Sequence, residues 1–251
     1  LLTRFVPSKN QKKILSRLKV GDVDVLFGTH KILNKIEFKD LGLLIVDEEQ
    51  RFGVKDKEKI KQLKTNIDCL TLSATPIPRT LYMSLLKVRD MSLLTTAPRE
   101  RLPIETYIEE FDFDKAVKAM RNELERGGQV FFLHNRIEDL EQIVMEIRRE
   151  IPEAIVEYAH GQMEAEDLED VMHRFIYEGV QILVSTTIIE NGIDIPNVNT
   201  IIIDRAERLG LSQVYQLRGR VGRSDKKAYC YLFYKDRSSL NDDALKRLRV
   251  M

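Results

Sequence analysis

The chain has 251 residues, enough for one large domain or two of ordinary size. Its residues are 43% hydrophobic and 32% charged, a globular composition, and no apolar run approaches the roughly 20 residues needed to cross a bilayer. Forty basic residues balance forty acidic ones, so net charge offers no argument for nucleic acid and any basic surface must be local. The chain opens on Leu1 to Phe5, too polar and too short for a secretory signal, and lacks an initiator Met, so it is expected to be a piece of a longer protein. Its two cysteines, Cys69 and Cys230, lie far apart. They suggest a reducing compartment, with the cytoplasm as the default, and no disulfide framework.

Along the first part, Val23 to Gly28, Leu43 to Val46 and Cys69 to Ser73 read as buried strands, and Gln11 to Leu18 and Asp56 to Lys64 as helices. Thr95 to Pro103, with two prolines and little apolar periodicity, reads as connecting chain. A second alternating series follows. Helices are expected over Asp114 to Arg126, Ile137 to Glu150, Glu164 to Tyr177 and Ser212 to Val221. Between them fall strands Gln129 to His134, Ile155 to Tyr158, Gln181 to Ser185, Asn199 to Asp204 and Ala228 to Tyr234. This alternation predicts an α/β fold with parallel sheets, divided into 1–97, a linker at 98–106 and 107–251.

Four segments carry the chemistry. The run Leu43-Leu44-Ile45-Val46-Asp47-Glu48-Glu49-Gln50 is an apolar strand that delivers carboxylates at its C-terminal end, where open parallel sheets bind ligands. A carboxylate there can hold the Mg²⁺ that bridges nucleotide phosphates, and an adjacent Glu can orient or deprotonate water. Taken alone, the same run also reads as an acidic strand end with solvated charges. The segment 216–223 places Arg218, Arg220 and Arg223 among Gly219 and Gly222. So many cations at one spot repel each other unless they meet phosphate, and an Arg presented to a γ-phosphate is worth about 10³–10⁵ in rate.

Ser73-Ala74-Thr75-Pro76 and Thr186 to Pro196 each follow a strand. As bare patterns they are equally a turn and a loop. The strand-following pairs Thr29-His30 and His160-Gly161 supply backbone N–H groups and short polar side chains suited to a phosphate backbone, though βα turns look the same. The four histidines share no metal-ligand spacing. No Gly-x-x-x-x-Gly-Lys-Ser/Thr occurs, so the phosphate cradle of a P-loop enzyme is missing from the sequence.

In this order the segments resemble the motifs of superfamily 2 helicases and translocases. Asp47 to Gln50 resembles motif II, Ser73 to Thr75 motif III, Thr186 to Asp194 motif V, and Gln216 to Arg223 motif VI. Longer runs narrow the likeness: "LGLLIVDEEQRFGVKDKEKIK", "LTLSATPIPRTLYMSLLKVRDMSLLTTAP" and "STTIIENGIDIPNVNTIIIDRAERLGLSQVYQLRGRVGRS" are similar to the bacterial transcription-repair coupling factors. The branched-DNA-remodelling recombination helicases share "RFGV", "ATPIPRTL" and "QLRGRVGR" and are the alternative.

The resemblance implies two RecA-like parallel-sheet lobes, the first truncated at its N-terminus, with ATP and Mg²⁺ as cofactors and double-stranded DNA as partner. It assigns Mg²⁺ to Asp47, water activation to Glu48, a cross-cleft hydrogen bond to Gln50 and the γ-phosphate to Arg220 and Arg223. Gln216, Gly192 and Asp194 are implied near the nucleotide, Ser73 and Thr75 in coupling, and Thr29, His30, His160 and Thr187 on DNA. RNA polymerase and an excision-repair damage-recognition protein are implied as partners through regions outside the chain. So are the Walker A segment before it and a helical translocation element after it. The chain alone is therefore expected to be inactive, and no membrane association is expected.

Overall fold

The computed structural model describes residues 1–2, 6–33, 36–49, 52–63, 67–73, 90–96, 102–191 and 195–251. They fall into two compact units, Leu1–Ser92 and Leu93–Met251.

In the first unit, helix α1 (Ser8–Val20) carries Arg17 and Lys19 in its last turn, where cations oppose the helix dipole. It stops at Gly21, whose φ of 87° only glycine adopts freely and whose N–H reaches the carbonyls of Arg17 and Leu18. Strand β1 (Leu43–Asp47), helix α2 (Val54–Leu63) and strand β2 (Asp68–Leu72) form one parallel crossover, with Leu43 opposite Asp68 and Asp47 opposite Leu72. Leu44 and Val46 turn inward onto Leu33 and Ile60, with Phe52, Leu63 and Ile67 packed around them. The alternate residues Leu43, Ile45, Leu70 and Leu72 lie about half exposed on the other face.

Among the described residues, Val23 to Gly28, expected as a strand, forms no ladder but a single parallel bridge, Leu2 to Gly28, and Val25 and Phe27 stay exposed. Apolar β-branched sequence makes a strand only where a neighbouring strand takes its hydrogen bonds.

The second unit is a six-stranded parallel sheet in the order β3-β8-β7-β4-β6-β5. Its strands are β3 (Glu105–Glu110), β4 (Gln129–Leu133), β5 (Val156–Ala159), β6 (Ile182–Ser185), β7 (Val198–Ile203) and β8 (Tyr229–Tyr234). Its helices are α3 (Phe113–Glu125), α4 (Leu140–Glu150), α5 (Ala165–Tyr177), α6 (Leu211–Arg218) and α7 (Asp242–Arg249). Every residue of β4, β6 and β7 is buried, as a parallel sheet covered on both faces requires. Alternation divides the core. Val130 and Phe132 face α3 and α4 with Met120, Val144 and Ile147, while Phe131 and Leu133 face α5 and α6 with Phe175, Val214 and Leu217.

Two elements were not expected from the sequence. Strand β3 pairs with β8 at the sheet edge, and its Glu105 and Glu109 are held by Lys227 and Lys115. Glutamates within its short run hide the strand alternation of Thr106, Tyr107 and Ile108. Helix α7 is capped by Asn241, whose side chain accepts from the Ala244 N–H at 2.8 Å. The expected helix over Ser212 to Val221 ends at Arg218, where Gly219 closes the last turn onto Leu217 and Tyr215 carbonyls.

Candidate functional site

In the first unit, β1 ends by presenting Asp47 to solvent, and the chain turns sharply at Glu48. Glu48 has a φ of 48°, and with Arg205 (φ 55°) it is one of two non-glycine residues in the left-handed region among the described residues. That conformation costs on the order of 1–3 kcal/mol and persists only where the surroundings impose it, typically at functional sites. Here the Glu48 N–H donates to the Leu72 carbonyl at 3.0 Å, which ties the tip of β1 to the tip of β2. Ser73 follows directly and is exposed, so Asp47, Glu48 and Ser73 share the C-terminal edge of one small sheet. Thr29 is exposed beside the 3₁₀ turn His30–Leu33, and its N–H donates to the Leu2 carbonyl at 3.3 Å. Gln50, Thr75, Gly192 and Asp194 lie outside the described residues, as does the side chain of His30.

The larger sheet brings its C-terminal tips together in the order β5, β6, β4, β7. Three backbone bonds bind them: Thr186 N–H to Ala159 O at 3.3 Å, His134 N–H to Ser185 O at 2.9 Å, and Asp204 N–H to Leu133 O at 2.9 Å. His160 on the first tip is half-buried against Tyr158, with ring centroids 6.1 Å apart, and its Nδ1 is buried without a hydrogen-bond partner among the described residues. Thr187 opens the 3₁₀ turn Thr187–Asn191 on the next tip.

The same edge holds residues to which the sequence reading assigned no role: Asn135 and Arg136 after β4, and Arg205 after β7. The available signal was polar and basic residues placed directly after apolar strands, where ligands of parallel sheets bind.

Helix α6 packs against the Thr187–Asn191 turn, with Leu217 and Val221 in one cluster with Ile189. Gln216 sits half-buried in its last turn. Arg218 is committed internally: its guanidinium donates to the Met251 carbonyl and lies 4.8 Å from the Tyr215 ring centroid. Arg220 and Arg223 lie beyond the helix, half-buried in a turn that Gly222 makes possible with a φ of 72°. A Cβ on Gly222 would meet Ile104 at 3.1 Å and Ala228 at 3.2 Å.

The turn is anchored at its far end. Ser224 donates to Asn199 Oδ1 at 2.8 Å, and Asn199 with Thr200 reaches the buried carboxylate of Glu123, Thr200 at 2.6 Å. Glu123 also pairs with Arg126, whose guanidinium donates to the Lys227 carbonyl at 3.0 Å. A buried carboxylate with this set of donors is satisfied, and the loop carrying the two arginines inherits its order.

No group of three or more His, Cys, Asp or Glu side chains suited to a metal occurs among the described residues. Mg²⁺ needs none, because it takes one or two carboxylates and fills its shell with phosphate oxygens and water. The exposed Asp47 at a parallel strand tip fits that role.

The chain matches the DEAD/DEAH box helicase family over residues 2–84 and the helicase conserved C-terminal domain over residues 113–225. It is 54% identical over its whole length to the transcription-repair-coupling factor of Bacillus subtilis, of which it spans 21%. It is 49% identical, again over its whole length, to a chloroplastic ATP-dependent DNA helicase of Arabidopsis thaliana, At3g02060, spanning 31% of it. Among solved structures it resembles RecG bound to a three-way DNA junction, with a TM-score of 0.75 and 35% identity over 99% of this chain and 33% of that one.

Proposed function

Because the chain belongs to the transcription-repair-coupling factor family of helicases, with a RecA-like fold, we propose that it supplies the hydrolysis and DNA-contacting parts of an ATP-driven double-stranded DNA translocase. The chain spans about a fifth of the length of its curated relatives, so the activity belongs to a longer protein. In that protein the motor releases stalled RNA polymerase and couples transcription to nucleotide excision repair in the cytoplasm. Among the described residues no helix is long and apolar enough to cross a membrane.

The observation that carries the reading is Glu48, held left-handed immediately after Asp47 at the tip of a parallel strand. A strained carboxylate next to an exposed one suits a division of labour. Asp47 holds Mg²⁺, which neutralises phosphate charge, and Glu48 positions the attacking water. Arg220 and Arg223 stabilise charge developing on the γ-phosphate, with Gln216, Gln50, Gly192 and Asp194 contributing to nucleotide contacts. Ser73 and Thr75 relay hydrolysis to movement. Thr29, His30, His160 and Thr187 bind the DNA backbone, a contact that carries little sequence preference.

The test is DNA-stimulated ATP turnover by the full-length protein. Glu48→Gln is expected to lower it by about 10²–10⁴, the usual share of a general base. Turnover unchanged by Glu48→Gln would overturn the assignment. The 251-residue chain alone, whose sequence has no phosphate loop, is expected to show no turnover. A second reading, fork remodelling, draws on the 35% identity to RecG. Failure of the full-length protein to release stalled polymerase, together with active fork regression, would favour it.

A further inference from the structure

His134 is buried at the tip of β4, yet both of its ring nitrogens face carboxylates. Nδ1 is 2.6 Å from Oδ2 of Asp204 on the β7 tip, and Nε2 is 2.9 Å from Oδ2 of Asp139 at the entry to α4. Only the imidazolium donates from both nitrogens. The neutral ring would turn a lone pair toward one of the two carboxylates. On its remaining side the ring borders a cavity of about 330 Å³ walled by Phe111, Phe113, Phe132 and Ile143, with Gln142 and Glu146 at its polar margin.

Each carboxylate is contested. The same Oδ2 of Asp139 lies 3.6 Å from Nε of Arg136, and the same Oδ2 of Asp204 lies 4.0 Å from Nε of Arg205. The histidine bonds are shorter than the arginine approaches on both sides. The row Arg136, Asp139, His134, Asp204, Arg205 therefore carries one net positive charge with the imidazolium and none with the neutral ring. The Arg136 side chain is 54% exposed on the tip edge assigned above to DNA.

We propose that His134 is a positioning residue. Its imidazolium occupies Asp139 and Asp204 and so leaves Arg136 and Arg205 available to a DNA phosphate. Loss of the ring proton hands a carboxylate back to an arginine and weakens DNA binding. Burial is the largest influence on the ring and opposes its charge. The hydrogen bonds to Asp204 and Asp139 together outweigh burial, so the His134 pKa lies above its ordinary value. The transition therefore falls on the alkaline side of an ordinary histidine, about pH 6.5.

The inference rests on the DNA-backbone reading, and the experiment separates the two. Binding of a fluorescent mixed-sequence duplex to this chain is measured across pH and salt while the His134 ring is followed by NMR. The dissociation constant is expected to rise about fivefold as the ring deprotonates, the worth of one partly exposed ion pair. The salt dependence should fall by about one phosphate contact over the same range. Asp139→Asn is expected to bind tightly with much of this pH response gone, and Arg136→Ala to bind weakly at every pH. A His134 pKa at or below the ordinary value, or parallel pH profiles for wild type and Asp139→Asn, would overturn the proposal. If the duplex binds at no pH, the DNA reading fails for this chain. The clamp is then decided by NMR alone: the Arg136 Nε resonance must shift with the His134 ring in wild type and lose that coupling in Asp139→Asn, and no coupled shift refutes it.

Discussion

At the scale of single residues, conformation and environment separate functional groups from bystanders of the same chemistry. Glu48 and Glu49 are adjacent glutamates, but only Glu48 is held left-handed. Glu48→Gly is expected to relieve about 1 kcal/mol of backbone strain while abolishing turnover in the parent protein, a split that thermal melting and ATPase assays resolve together. A melting point lowered as much as by an ordinary strand-end glycine would argue against strain. The two cysteines divide in the same way. Burial pushes the Cys230 thiol up to about 12, whereas Cys69 is only half-buried. In native protein a thiol reagent should modify Cys69 and leave Cys230 intact until unfolding, because the thiolate is the reacting form. Residue-scale electrostatics also set the stability profile around His134. A raised histidine pKa contributes stability that is complete below the unfolded value and is lost as pH rises through the folded one. The Asp139 carboxyl, lowered chiefly by its hydrogen bond to His134, contributes in the opposite direction and is lost on acidification. Thermal melting of wild type should therefore be highest between the ordinary Asp and His values, about pH 3.9 and 6.5, and fall on either side of that window, and Asp139→Asn should flatten both limbs.

At the scale of elements, the arginine turn depends on glycine geometry and on a buried carboxylate. Gly222 and Gly127 both adopt positive φ, at 72° and 68°. A Cβ on Gly222 would press Ile104 and Ala228, whereas one on Gly127 would meet nothing within 4 Å. Gly127→Ala should cost about 1 kcal/mol from strain alone, and Gly222→Ala more, with loss of order in the loop bearing Arg220 and Arg223. Equal costs in denaturant melts would show that the tight contacts relax freely. Glu123→Ala would leave Thr200, Asn199 and Arg126 without their shared acceptor, at a cost of about 1–3 kcal/mol for each group left buried and unsatisfied. The elements themselves were legible to different degrees. Amphipathic helices such as α3 and α5 were visible to within a residue or two, because helical periodicity and turn signals are local. Strand β3 was not, because its charged edge residues mask the alternation until Lys115 and Lys227 neutralise them across other elements.

At the scale of the whole molecule, the two units differ in how much core their described residues enclose. The first is centred on Leu33, Leu44, Val46 and Ile60, and leaves one face of its two-stranded sheet half exposed. The second encloses a six-stranded sheet between two apolar clusters. Amides of β4, β6 and β7 should exchange only at the slowest, global rate, while those of β1 and β2 exchange orders of magnitude faster. A single rate class across these five strands would overturn that expectation. The sequence by itself determined the α/β alternation, the carboxylates at the end of a strand, and the arginines beside glycines. Each of these is written in a few adjacent residues, where periodicity and residue chemistry are local. Gln50, Thr75, Gly192 and Asp194, read with them, lie outside the described residues. Only the tertiary structure decided the strand order, the lone bridge from Gly28 to Leu2 that stands in place of a ladder among the described residues, the strained turn at Glu48 and the meeting of His134 with Asp204, 70 residues away. Those depend on which distant segment takes a strand's hydrogen bonds or a ring's protons. Neighbouring residues cannot specify that choice, because it is settled when the sheet assembles.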